Sequence, residues 1–104
     1  MEEYQQVGKV SEVPESGKLT VELDDRVVVV IRVGDQFFCI DDVCTHDGGP
    51  LGEGQLDGFQ IACPRHGALF DIRSGEALTM PATEPTEAHE IKIVDDQIWV
   101  RLAS

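Results

Sequence analysis

Apolar and polar residues alternate with a period of two over much of the chain, and no segment carries a helical period. Leu19, Val21 and Leu23 are separated by Thr20 and Glu22, which predicts a strand with one buried face. Asp24-Asp25 reads as a turn into Arg26–Val33 (RVVVVIRV), where the apolar run from Val27 to Ile31 predicts a more fully buried strand. Gly34-Asp35 marks a hairpin into Gln36–Asp41. Near the C-terminus Ile91 and Ile93 alternate with Glu90 and Lys92. Asp95-Asp96 then turns the chain into QIWVRL, where Trp99 reads as a packing residue.

Between these two sets of strands the character changes. From Asp42 to about Ala82 there are glycines at 48, 49, 52, 54, 58, 67 and 75, with short hairpin strands predicted near Phe59–Ala62 and Ala68–Ile72. This predicts a small loop-rich unit, about 42–82, inserted into a larger antiparallel β scaffold. The segment MPATEPTEA has two prolines and reads as a stiff, irregular connection back to that scaffold. The 104 residues, free of repeats, linkers and low-complexity tails, suit one domain spanning 1–104, small enough to benefit from a metal staple.

The loop-rich unit contains the candidate chemistry. Cys44 and His46 form C-x-H; after sixteen intervening residues Cys63 and His66 form C-x-x-H. Two thiolates and two imidazoles suit one zinc ion, or two irons shared between them. A free cysteine is most often a small buried hydrophobe and a lone histidine a surface residue. The same Cys/His pairing twice, in a chain with three of each, argues against coincidence. Zinc accounts for the ligand types but not for the flanking Gly48, Gly49 and Gly67; a cluster needs backbone N–H groups brought close to its sulfurs. Cys39, in QFFCID, is expected to be a buried free thiol, and His89 a surface strand residue.

On Cys44-Thr45-His46, Leu51-Gly52-Glu53-Gly54 and Cys63-Pro64-Arg65-His66-Gly67 the chain resembles the Rieske-type [2Fe–2S] ferredoxins, of the soluble, low-potential, oxygenase-associated type. The likeness extends over nearly the whole length. It implies an all-β fold, a Rieske-type antiparallel β-sandwich scaffold with an inserted cluster-binding subdomain, and one [2Fe–2S] cluster per chain. It also implies that Cys44 and Cys63 hold the inner iron, that His46 and His66 hold the outer iron through Nδ1, and that a loop containing Pro81 covers the cluster. Rieske proteins of respiratory cytochrome bc complexes have a further cysteine in each ligand loop, where this chain has Gly49 and Arg65, so that bridge is excluded. They also place a Ser and a Tyr hydroxyl on the cluster sulfurs, where this chain has Ala68 and Phe70.

Charge narrows the partners. Twenty acidic against eight basic residues give a net charge of −12, which makes nucleic acid and anionic membranes poor partners. The charge serves solubility or steers the chain toward a basic docking face. Arg65 breaks the acidic trend between two ligands and reads as a docking residue or a solvated one. Pro50 and Leu51 read as an apolar rim or as simple loop closure. No apolar run approaches the ~20 residues of a membrane span. The first ten residues lack the basic and apolar regions of a signal peptide, so the expected location is cytoplasmic.

No nucleophile–base pair or phosphate loop accompanies the metal ligands, so the chain is not expected to be an enzyme. The resemblance implies a one-electron carrier between a flavoprotein reductase and a terminal oxygenase, a monomer working through transient complexes. Two other readings stay open: a small subunit of an assimilatory nitrite reductase, which shares the fold, and a zinc-stabilised interaction module without redox chemistry.

Overall fold

The computed structural model describes residues 4–42, 51–64, 67–79 and 85–103. Among them lie the strands β1 (Gln5–Lys9), β2 (Lys18–Leu23), β3 (Arg26–Val33), β4 (Gln36–Asp41), β5 (Leu56–Asp57), β6 (Gln60–Ala62), β7 (Leu69–Asp71), β8 (Ala88–Val94) and β9 (Gln97–Arg101), with single 3-10 turns at Val10–Glu12 and Leu51–Glu53. The β2–β3 and β8–β9 hairpins close through two-residue turns. Both central residues of each are left-handed: Asp24 at φ 47°, Asp25 at 67°, Asp95 at 51° and Asp96 at 65°. Such mirror-image turns match the twist of the strands they join, and aspartate tolerates them better than most side chains.

All strand pairs are antiparallel. Six strands form one sheet in the order β1-β9-β8-β4-β3-β2, and β5-β6-β7 form a second. The large sheet curls until its outer strands face one another. A Cβ on Gly8 of β1 would stand 3.0 Å from Leu19 Cδ2 on β2, and Gln5 Nε2 donates to Asp24 Oδ2 at 3.1 Å. The two halves of the sheet are joined where β4 meets β8, in a seam of only two residue pairs, Cys39↔His89 and Ile40↔Ala88.

The alternation of side chains along β3 and β4 divides the apolar interior in two. Val28, Val30 and Cys39 point inside the curled sheet, onto Leu23, Ile98 and Val100. Val29, Ile31 and Ile40 point the other way, onto Leu51, Ile61, Cys63, Phe70 and Ile72 of the glycine-rich unit. The unbroken apolar run in β3 is therefore a strand covered on both faces, as its composition suggests. Val28, Val29, Val30 and Ile31 have no exposed surface at all, whereas Val27, at the entry to the strand, is 40% exposed.

The predicted strands from Leu19 onward are present. Alternation does not reveal β5, which has only two residues, or β1, in which only Val7 packs on the core. The expectation for His89 is corrected. It lies on the seam beside Cys39, its side chain fully buried, because β8 enters the sheet there and the ring faces the interior.

Truncation should separate the two kinds of position in this double-faced layer. Ile40→Ala should cost about 2–5 kcal/mol and Val27→Thr no more than about 0.5 kcal/mol, read from urea unfolding midpoints at constant m-value.

Candidate metal centre

Cys63 stands at the end of β6, only 1% exposed, and its thiol belongs to the apolar cluster that also contains Ile61, Ala68 and Phe70. Two backbone bonds close the segment that follows. Cys63 N–H donates to Ala68 O at 2.8 Å, and Gly67 N–H donates to Cys63 O at 2.9 Å. Gly67 has φ +72°, a conformation that side chains with a Cβ resist, so the glycine of C-x-x-H-G is dictated by this tight return.

Cys44, His46 and His66 lie outside the described residues, as do Gly49, Pro50, Arg65 and Pro81. The two ends of the first candidate ligand segment are described, and both are fixed. Asp42 N–H donates to Val27 O at 2.9 Å, while the Asp42 carboxylate accepts the Gly52 N–H and so ties residue 42 to residue 52. Leu51 is fully buried in the apolar cluster; it anchors the segment instead of lining a rim. Lys18 Nζ, reaching from β2, donates to Gly54 O at 2.5 Å.

Gly54 decides how the two candidate ligand segments meet. A Cβ there would lie 1.7 Å from Ala62 O, a position no atom can share. The absent side chain lets the turn that ends the first segment rest on the backbone of β6, one residue before Cys63. Ala62 N–H donates to Gln55 O at 3.0 Å and holds the contact. Gly54 thus works as a spacer between backbones, whereas Gly67 serves a left-handed turn in open space. Asp42, Lys18 and Ala62 are structural partners that motif reading misses, because they join through contacts distant in sequence.

Ala68 and Phe70 are both fully buried and share a face with Cys63. Neither offers a hydroxyl, so this side of the Cys63 thiol is lined by carbon. Cys39, the other described thiol, faces the opposite interior. Burial, assisted by the nearby negative charge of Asp41, pushes it up to about 12. It is a neutral packing group, as expected, and stands apart from the centre.

The Rieske [2Fe-2S] domain model matches residues 3–97. The chain belongs to the Rieske [2Fe–2S] family. It is 33% identical over 100 residues to the anthranilate 1,2-dioxygenase ferredoxin subunit of Burkholderia cepacia, covering 96% of this chain and 93% of that one. It is 40% identical over 73 residues to the ferredoxin CarAc of Metapseudomonas resinovorans, covering 70% and 68%. Among solved structures it matches a chain of the complex of reduced oxygenase and oxidized ferredoxin in carbazole 1,9a-dioxygenase. That match has 30% identity and a TM-score of 0.91, and covers all of this chain and 99% of that one.

The cofactor of this Rieske domain is a [2Fe–2S] cluster. The described donor environment fits it: a buried thiol at the mouth of a glycine turn, with a second segment pressed against its strand. Among the described residues no helix is long and apolar enough to cross a membrane.

Two outcomes follow. Gly54→Ala should destabilise the fold by about 1–3 kcal/mol or more and lower cluster content, seen as reduced visible absorbance per mole of protein. Cys39 should resist iodoacetamide in the folded protein at pH 8 and react once the chain is unfolded, as mass spectrometry of the labelled peptides would record.

Proposed function

We propose that Cys44, His46, Cys63 and His66 hold the [2Fe–2S] cluster and that the protein passes single electrons from a flavoprotein reductase to a terminal oxygenase. The whole of 1–104 acts as one domain, with residues of about 42–82 forming the cluster-binding unit. The observation that carries the reading is the match along nearly the full length of both chains to the ferredoxin subunit of a dioxygenase. Further support comes from the likeness to a chain of a ferredoxin–oxygenase complex. The protein is an electron carrier and not itself an enzyme. It works in the cytoplasm as a monomer meeting its partners in brief complexes.

When bound, the cluster supplies one-electron storage, and the chain's own residues set how readily it is filled. Reduction adds negative charge, so hydrogen-bond donors to the sulfurs raise the potential, and an acidic surround lowers it. The side chains of Ala68 and Phe70 donate nothing, and the chain carries −12. The potential therefore belongs near the lower end of the Rieske range, about −150 mV.

Low-temperature electron paramagnetic resonance of the dithionite-reduced protein tests the assignment. A rhombic signal with average g below the free-electron value is expected. Absence of the signal, with stoichiometric zinc in protein made under iron-replete conditions, would overturn it. Phe70→Tyr should raise the potential. The site is fully buried, so a hydroxyl that finds no sulfur would cost about 1–3 kcal/mol. A stable variant with an unchanged potential would defeat this account of the tuning.

A further inference from the structure

Where β4 and β8 part, the backbone leaves in two directions: onward from Asp41 into the first ligand segment, and back from Ala88 toward the proline-rich connection. Only two residue pairs join the strands there. One side-chain network spans the gap. Asp41 Oδ1 lies 2.7 Å from His89 Nε2. The same carboxylate takes both of its oxygens to Arg26 Nη2, at 3.0 and 2.9 Å. The chain after β9 closes the far side: Ala103 N–H donates to His89 Nδ1 at 2.9 Å, and Arg26 Nη1 donates to Ala103 O at 3.1 Å. The Asp41 N–H donates to Glu87 O at 2.9 Å.

These contacts fix the state of the ring. A backbone N–H can only donate, so Nδ1 must present its lone pair, and the ring proton sits on Nε2 and is donated to Asp41. The His89 side chain has no exposed surface, while those of Asp41 and Arg26 are 20% and 34% exposed. A buried, fully partnered ring between two backbone elements holds a geometry; it has no access to a ligand.

We propose that His89 is a positioning residue for electron transfer. Through Asp41 it fixes the root of the first cluster-ligand segment against β8, with Arg26 and the Ala103 backbone completing the clamp. The inference rests on the cluster assignment made above. Asp41 is followed directly by Asp42, whose carboxylate ties residue 42 to Gly52. Without the ring, the Asp41 carboxylate would keep Arg26 but lose its side-chain tie to β8, and the root would be held to that side by the Asp41 N–H bond to Glu87 O alone. The consequence would appear at the irons, as altered ligand geometry.

Two substitutions divide the ring's two functions. His89→Gln can keep a donor near the Nε2 position for Asp41 and loses the acceptor for Ala103. His89→Asn can keep an acceptor near the Nδ1 position and loses the donor to Asp41. Both should lower the melting temperature. Only His89→Asn should shift the g-values and potential of the reduced cluster, with His89→Gln restoring wild-type values. Unchanged g-values and potential in folded, cluster-loaded His89→Asn would overturn the proposal and leave His89 a packing residue. If His89→Asn gives no folded protein, Arg26→Gln, which loosens the same carboxylate from its more exposed side, is read by the same g-values: a shift supports the clamp, and wild-type values overturn it. A wild-type protein lacking the signal would remove the cluster assignment and the redox role of the clamp together. A normal wild-type signal with unmoved variants would remove the clamp alone.

Discussion

Everything in this fold is referred to one double-faced layer, strands β3 and β4. A strand normally buries one set of alternate side chains, and its other face is wet. Here both sets are covered: Val28, Val30 and Cys39 by the curled sheet, Val29, Ile31 and Ile40 by the glycine-rich unit. Burial of a side chain of this size is worth about 1.5–3 kcal/mol, so each face contributes comparably to stability. Neither half of the molecule can shift without uncovering the shared layer. The glycine-rich unit is thereby held by the same packing that holds the scaffold.

Apolar packing places the unit as a whole, but it does not set distances between the candidate ligand segments to the accuracy a cluster requires. That comes from backbone against backbone. Gly54 rests on Ala62 at a separation that excludes a Cβ, and Gly67 turns the chain back through a left-handed conformation. Polar ties then fix the ends: Asp42 to Gly52, Lys18 to Gly54. A side-chain contact can adjust by changing rotamer; a contact between two backbones cannot, so Gly54 confers rigidity here and not freedom. That is why a unit so rich in loops can present a buried thiol in a defined place.

The sequence discloses the features that are local. Alternation in Leu19–Leu23 and Glu90–Ile93, the β-branched run of β3 and the two Asp-Asp turns are written within a few residues, and the structure contains all of them. The buried thiol at Cys39 follows equally from its apolar neighbours. What stays hidden is long-range. His89 sits in HEIKIV, next to Glu90 and Lys92, and nothing nearby indicates that the ring meets Asp41, 48 positions earlier, and Ala103, 14 positions later. Leu51 follows a proline in a glycine-rich loop and looks like surface, yet it is one of the anchors of the core. β1 has too few core contacts to carry a period; its place is set by its pairing with β9 and by its approach to β2.

The disposition of charge links these levels. The net charge of −12 would suggest a surface with its few bases scattered among the acids. Instead several of the bases are spent inside the architecture. Arg26 binds Asp41, Lys18 holds Gly54 O, and Arg32 reaches Val13 O and Gly34 O while lying over the Phe37 ring. Arg73 pairs with Asp71 and covers Phe59. Exposed pairs such as the last contribute little to stability by themselves. Their effect on the field is larger: a base engaged in this way is not available to pair with the carboxylates at the hairpin tips. The turns built from Asp24-Asp25 and Asp95-Asp96 thus serve two ends, tight reversal of the strands and an outward negative potential. That potential opposes addition of an electron and favours encounter with a positively charged face, so the features that close the sheet also bias the chemistry of the centre it supports.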